Sequence, residues 1–159
     1  MAYRRALLKK SPRMLAVLNM AAEKSGWGQP LKPVVGRKVG RGVSAQFAFG
    51  SYMAQVADVS VGADGEVRVH RVVCVVDCGQ TINPDTIVAQ MEGGIVFGAS
   101  AALWGAITHD KGRVVQSNFD KVLELALERL PEPLVETAPV EAVAAAAAKA
   151  DGQAEVVKH

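Results

Sequence analysis

A chain of 159 residues, half of them apolar, is long enough for one domain with a sizeable core. Eighteen basic against 16 acidic residues leave a formal net charge of +2, and aromatic residues make up only 5%. Without a strong basic footprint or rings for base stacking, no nucleic-acid partner is expected. Two cysteines, Cys74 and Cys78, are too few for a disulfide framework.

The chain begins "MAYRRALLKKSPR", where charges flank a very short apolar piece, so neither a signal peptide nor a transit peptide is expected. "SPRMLAVLNMAAEKSGWG" then predicts a helix with both ends marked. Ser11 is the N-cap, Pro12 the first helical residue, and Gly26 lies just past the last turn. Met14, Leu15, Leu18, Ala21 and Ala22 recur at helical spacing and form its expected buried face. Residues 28–42, "GQPLKPVVGRKVGRG", hold two prolines and four glycines and read as a loop or linker.

From Ala45 to Asp77 the chain is rich in valine, and "GADGE" at 62–66 divides two runs, which predicts a β-hairpin turning near Asp64 and Gly65. The second run is apolar on both faces from Val72 to Val76, as an interior strand would be. Asn83, Pro84 and Asp85 open another helix, and Gly94, Gly98, Ala101 or Ala102, and Gly105 leave a stripe of small residues along it. This helix is expected to pack its glycine side on the sheet. Its uncharged run of 15 residues, "GGIVFGASAALWGAI", falls short of the roughly 20 needed to span a bilayer, so a buried helix is expected and no transmembrane span. "AITHDKGRVVQSNF" reads as a second hairpin turning at Asp110 to Gly112. After Phe119 the composition shifts. A short helix, a connector broken by prolines from Pro131 to Pro139, and a weakly anchored alanine-rich helix are expected, with poor order beyond about residue 135. The fold class is therefore α+β, a mixed sheet with β-hairpins packed against helices.

Few residues stand out chemically. His70, Cys74 and Cys78 lack any standard zinc spacing, and a structural role among valines is the commoner outcome for the first two. His109 falls in a predicted turn and His159 at the terminus, so neither is expected to act as a general base. Arg37, Lys38 and Arg41 among glycines could bind phosphate, but "GRKVGRG" is not a phosphate-loop pattern, and a solvated basic loop is the ordinary alternative. No metal set and no catalytic residue is assigned. Gln90 is of more interest, because a carboxamide offers two donors and an acceptor oxygen to the mixed edge of a heterocycle, while Gly93 and Gly94 clear space beside it. Residue chemistry alone is equally compatible with an ordinary helix glutamine, and Glu92 lacks the partner a catalytic carboxylate normally works with.

"VVCVVDCGQTINPDTIVAQMEGGIVFGASAAL", together with "FGSYMAQVADVSVGADGEVRVHR" before it and "GRVVQSNF" after it, closely resembles the molybdenum hydroxylases of the xanthine oxidase family. The nearest branch holds the large, or beta, subunits of isoquinoline 1-oxidoreductase and related aldehyde-oxidising enzymes. "RRALLKKSPRMLAVLNMAAEKSGWG" is similar to the same subunit just upstream. The resemblance covers residues 3–119, a part of the molybdopterin-binding domain, and leaves 120–159 as a divergent alanine-rich tail. It implies a molybdopterin cofactor, in this bacterial branch the cytosine dinucleotide form, with Gln90 in the place of the glutamine that hydrogen-bonds it and Gly93 and Gly94 beside it. It further implies an N-heterocycle or aldehyde substrate and an iron–sulfur small subunit carrying [2Fe-2S] clusters. By family the compartment is cytoplasmic or periplasmic.

The departures from the family are equally informative. Its large subunit is several times longer than this chain, and the glycine-rich segments that hold most of the cofactor lie upstream of anything present here. Its catalytic glutamate sits in a downstream Gly-Glu-Pro/Leu-Gly motif, and no glutamate after Gly112 is flanked by glycine in this chain. Two expectations follow: a C-terminal piece of an oxidoreductase large subunit, incomplete by itself, or a non-catalytic assembly or binding module that keeps the fold.

Overall fold

A computed structural model of the chain describes residues 1–116 and 141–142. A six-residue helix, α1 (Ala2–Leu7), leads into α2 (Pro12–Ser25). Pro12 occupies the first turn of α2, where its missing N–H costs nothing, and Gly26 ends the helix in the left-handed conformation at φ 65°. The Gly26 and Trp27 amides close the last turn on Glu23 O and Ala22 O. Ser11 stands at the N-cap without a side-chain cap bond. The buried face of α2 is Met14, Val17, Leu18, Ala21, Ala22 and Ser25. Val17 therefore takes a place expected for Leu15, which is only half-buried.

Three long antiparallel strands follow, β1 (Arg37–Ala48), β2 (Ser51–Gly62) and β3 (Val67–Asp77). The reading of 28–42 as loop thus holds only to residue 36, and the single expected hairpin is two. Gly40 and Gly42 lie in β1, which is an edge strand, where glycine's weak strand propensity is tolerated. The unforeseen turn joins Ala48 to Ser51 through Phe49 at φ 50° and Gly50 at φ 80°, the backbone of a two-residue primed turn. Phenylalanine is rare at positive φ, so Gly50 was the one turn signal at the place. The second turn, around Asp64 and Gly65, is where the sequence put it. There Asp64 Oδ1 accepts from the Glu66 amide at 3.0 Å.

The sheet order is β1-β2-β3-β6, where β6 (Glu141–Ala142) pairs parallel to Val75 and Val76 and makes the sheet mixed. Alternate side chains of β2 and β3 meet α2. Met14, Val17, Leu18 and Ala21 pack against Ala54, Val56, Val73 and Val75 to form the core. Full burial of each large apolar side chain contributes about 1.5–3 kcal/mol. Cys74 and Val76, on the opposite face of β3, are buried too, as the doubly apolar run predicted. Beyond the sheet come α3 (Pro84–Trp104) and a small hairpin, β4 (His109–Asp110) with β5 (Arg113–Val114), which turns through Lys111 and Gly112 at φ 47° and 78°. The expectations for 120–159, the short helix, the Pro131–Pro139 connector and the disordered alanine-rich end, lie outside the described residues apart from Glu141 and Ala142.

Candidate cofactor-facing site

Helix α3 is built as its sequence dictates. Asn83, at φ −133°, turns its Oδ1 to the Asp85 and Thr86 amides at 3.0 and 3.4 Å. Pro84 begins the helix, and Asp85 places a carboxylate against the positive end of the helix dipole. At the other end the Gly105 amide bonds to Ser100 O and Ala101 O, each at 3.2 Å. A Cβ on Gly105 would lie 2.6 Å from Ala101 O, so this stop needs glycine.

The environment of α3 departs from expectation. No residue of the helix is buried, and it approaches the sheet only marginally, at β3 and β6. A Cβ built on Gly93, Gly94 or Gly98 would meet nothing within 4 Å. The expected docking of the glycine side on the sheet, and the expected buried helix, are thus both corrected: the small-residue stripe faces open space. The reason is compositional. The stripe runs along a helix that is apolar all round, so periodicity could not say which side the sheet would take. Phe97 is 67% exposed, and Val96 and the preceding Ile82 are exposed as well. At 21 residues, α3 is long and apolar enough to cross a bilayer by length and composition alone, with Asp85 and Glu92 inside it.

Gln90 lies on this helix, exposed, with its carboxamide making no hydrogen bond to another described residue. Glu92 is half-buried. The structure therefore brings Gln90, Gly93 and Gly94 together on one accessible segment. Such a donor and acceptor set beside an uncluttered backbone fits the edge of a pterin. The fit is to a contact and not to an enclosure. A cavity of about 630 Å³ lies at the C-terminal end of α2 and is lined by no α3 residue.

Of the other sequence candidates, Arg37, Arg41 and His70 have structural partners. Arg41 forks onto Asp58, with Nη2 donating to Oδ2 at 2.9 Å, and donates through Nη1 to Gly26 O at 2.8 Å. The bond to Asp58 raises the Arg41 guanidinium above its usual range against the opposing effect of burial. Arg37 donates to Ser60 Oγ at 2.8 Å and to Glu66, whose carboxyl is held below its usual range by Arg68 and Arg37. Both arginines of "GRKVGRG" thus lock the sheet instead of waiting for phosphate. His70 is the extra residue of a β-bulge, since Asp58 pairs with Arg71 and Val59 with Val69. Its Nε2 lies 2.7 Å from the buried Ser60 Oγ. Burial pushes the Cys74 thiol up, while Cys78 is exposed. Among the described residues no group of three His, Cys, Asp or Glu side chains could hold a metal ion. Sequence reasoning missed the Arg13–Asp77 pair, with Nε and Nη2 at 2.8 and 2.7 Å from the two carboxylate oxygens, because 64 residues separate its members.

The fold and the site define a class: an α+β domain whose candidate ligand-facing helix stands open. A family model for the molybdopterin cofactor-binding domain matches residues 17–131, which include all of β1 to β3 and α3. The beta subunit of isoquinoline 1-oxidoreductase from Brevundimonas diminuta is 35% identical over 143 residues, 85% of this chain. The chain belongs to the molybdopterin-binding domain family of the molybdenum hydroxylases. It spans 18% of the length of that relative.

Proposed function

We propose that residues 3–119 are part of the molybdopterin-binding domain of a hydroxylase acting on N-heterocycles or aldehydes. In this reading Gln90 holds one edge of the cofactor, taken as the cytosine dinucleotide form, and Gly93 and Gly94 allow close approach. The observation that carries it is the free carboxamide of Gln90 on the open backbone of α3, inside the segment matched by the family. When bound, the cofactor supplies the redox centre. What this chain supplies is orientation, through two N–H donors and one acceptor oxygen on a helix fixed by the Asn83 cap. The exposed apolar side of α3, with Phe97 and Val96, serves as contact surface for the remainder of the large subunit. Electrons leave by way of a [2Fe-2S] small subunit, as the naming of the relative as one subunit of an oxidoreductase suggests.

The test grafts residues 3–119 into a full-length relative and measures molybdenum and cytosine nucleotide per mole of protein. Gln90→Ala is expected to lower both, since each hydrogen bond lost is worth about 0.5–1.5 kcal/mol and an unpaired group costs more. Gln90→Glu should be worse, because it exchanges a donor for an acceptor and brings negative charge toward an anionic cofactor. Glu92→Gln should do less. Full retention by Gln90→Ala together with loss by Glu92→Gln would show that the wrong residue has been assigned.

A second reading is a non-catalytic assembly or binding module that keeps the fold. Gene context separates the two. A neighbouring frame encoding the upstream cradle and the Gly-Glu motif supports the oxidoreductase, and a lone gene supports the module.

A further inference from the structure

The cavity of about 630 Å³ plays no part in the reading above. It opens where the C-terminal end of α2 meets the loop at 26–34 and the bulged part of the sheet, and its size suits a small organic molecule. Its charge is uneven. Three permanent cations, Lys32, Arg41 and Arg71, line it against a single carboxylate, Asp58, which is already bidentate to Arg41. Among the described residues Lys32 and Arg71 have no carboxylate partner. Arg71 spends one donor on Lys24 O at 3.0 Å, which leaves most of its five N–H groups available. The carbonyl end of α2 would repel an anion, but Gly26 O and Lys24 O are each covered by one of these arginines. Between the cations the wall is apolar, with Pro30, Leu31 and Val39.

We propose that this cavity binds a small organic carboxylate, its acid group taken by Lys32 and Arg71 and its apolar body laid against Pro30, Leu31 and Val39. A planar guanidinium presents a fork that matches a carboxylate, and the ammonium of Lys32 adds a second charge on a flexible stem. An uncharged analogue of the same shape keeps the apolar wall and one carbonyl acceptor but loses the charge-assisted fork. The site is distinct from α3, and its occupancy does not depend on molybdopterin.

The experiment titrates the full 159-residue chain with benzoate, with benzamide as the neutral isostere, and with inorganic phosphate, following backbone amide shifts by NMR and heat by calorimetry. Benzoate is expected to bind and to shift amides of the 26–34 loop and of Arg71, with benzamide at least about tenfold weaker, the loss of one charge-assisted contact. Lys32→Met, at an exposed loop position, and Arg71→Met should each weaken benzoate about tenfold, with a smaller effect on benzamide. Lys32→Met carries the test alone if thermal unfolding shows that Arg71→Met does not fold. The proposal is overturned if benzoate shifts no loop amide at millimolar concentration, if benzamide binds equally well, if phosphate binds and benzoate does not, or if Lys32→Met leaves benzoate affinity unchanged.

Discussion

Asp77 is a buried carboxylate held by three donors. Its side chain is 3% exposed, yet it accepts two bonds from Arg13 and one from the Gly79 amide at 3.1 Å. Arg13 also lies 4.6 Å from the Tyr52 ring centroid, so the start of α2, the start of β2 and the end of β3 are pinned together. Arg13 holds the Asp77 carboxyl below its usual range, outweighing the desolvation that pushes the other way. Folded protein then binds fewer protons than unfolded protein just below pH 4, so stability from this pair is present at neutral pH and is lost as acid is added. Arg13→Met should cost about 2 kcal/mol at pH 7, less than the 3–5 typical of fully buried pairs because Arg13 is 37% exposed. Asp77→Asn should flatten the acid limb of a urea-unfolding series between pH 3 and 7. An unchanged acid limb in Asp77→Asn would remove Asp77 as its source. None of this was legible in the sequence, because a contact across 64 residues leaves no periodic trace.

At the scale of elements, what could be read was punctuation. Ser11, Pro12 and Gly26 bound α2 as written, and Asn83 and Pro84 open α3, because caps and helix starts are decided by a few neighbouring atoms. What could not be read was an edge strand disguised by Gly40 and Gly42, and a turn through Phe49 that lacks the usual Asn or Asp. Gly26 gives the sharpest test of the punctuation. A Cβ there would find only ordinary contact with Gln29, at 3.7 Å, so Gly26→Ala should cost only its left-handed backbone, about 1–2 kcal/mol. Leu18→Ala, which opens a hole in the fully buried contact between α2 and the sheet, should cost more, about 2–5 kcal/mol. Chemical denaturation of both variants checks the order, and a Gly26→Ala loss as large as that of Leu18→Ala would mean that the 26–34 loop moves with the cap.

For the whole molecule, the contrast between its two helices decides what the described residues can do alone. Helix α2 is sunk in the core and makes one body with the sheet, whereas α3 carries Gln90 but has no buried residue and no covered glycine. The motif that marked this segment in the sequence is the basis for proposing Gln90, Gly93 and Gly94 as the residues a cofactor would meet. It could not say which residues face Gln90 across the open side of α3, because a local pattern holds no information about distant contacts. The magnitudes then set an upper bound. Two or three hydrogen bonds from one carboxamide contribute about 0.5–1.5 kcal/mol each. Fixing a free ligand costs roughly 4 kcal/mol or more before any contact is counted. Even millimolar affinity requires about 4 kcal/mol net, so a surface of this kind does not retain a cofactor by itself. The purified 159-residue chain is accordingly expected to keep far less than one molybdenum per chain after desalting, and to turn over neither N-heterocycles nor aldehydes with an artificial electron acceptor. Its open α3 face should instead make it self-associate. Phe97→Gln should lower the sedimentation-averaged mass while leaving the melting temperature unchanged, since a side chain 67% exposed contributes little to the fold. Stoichiometric molybdenum in the isolated chain, with turnover that disappears when the metal is removed, would show that the chain builds a complete cofactor site.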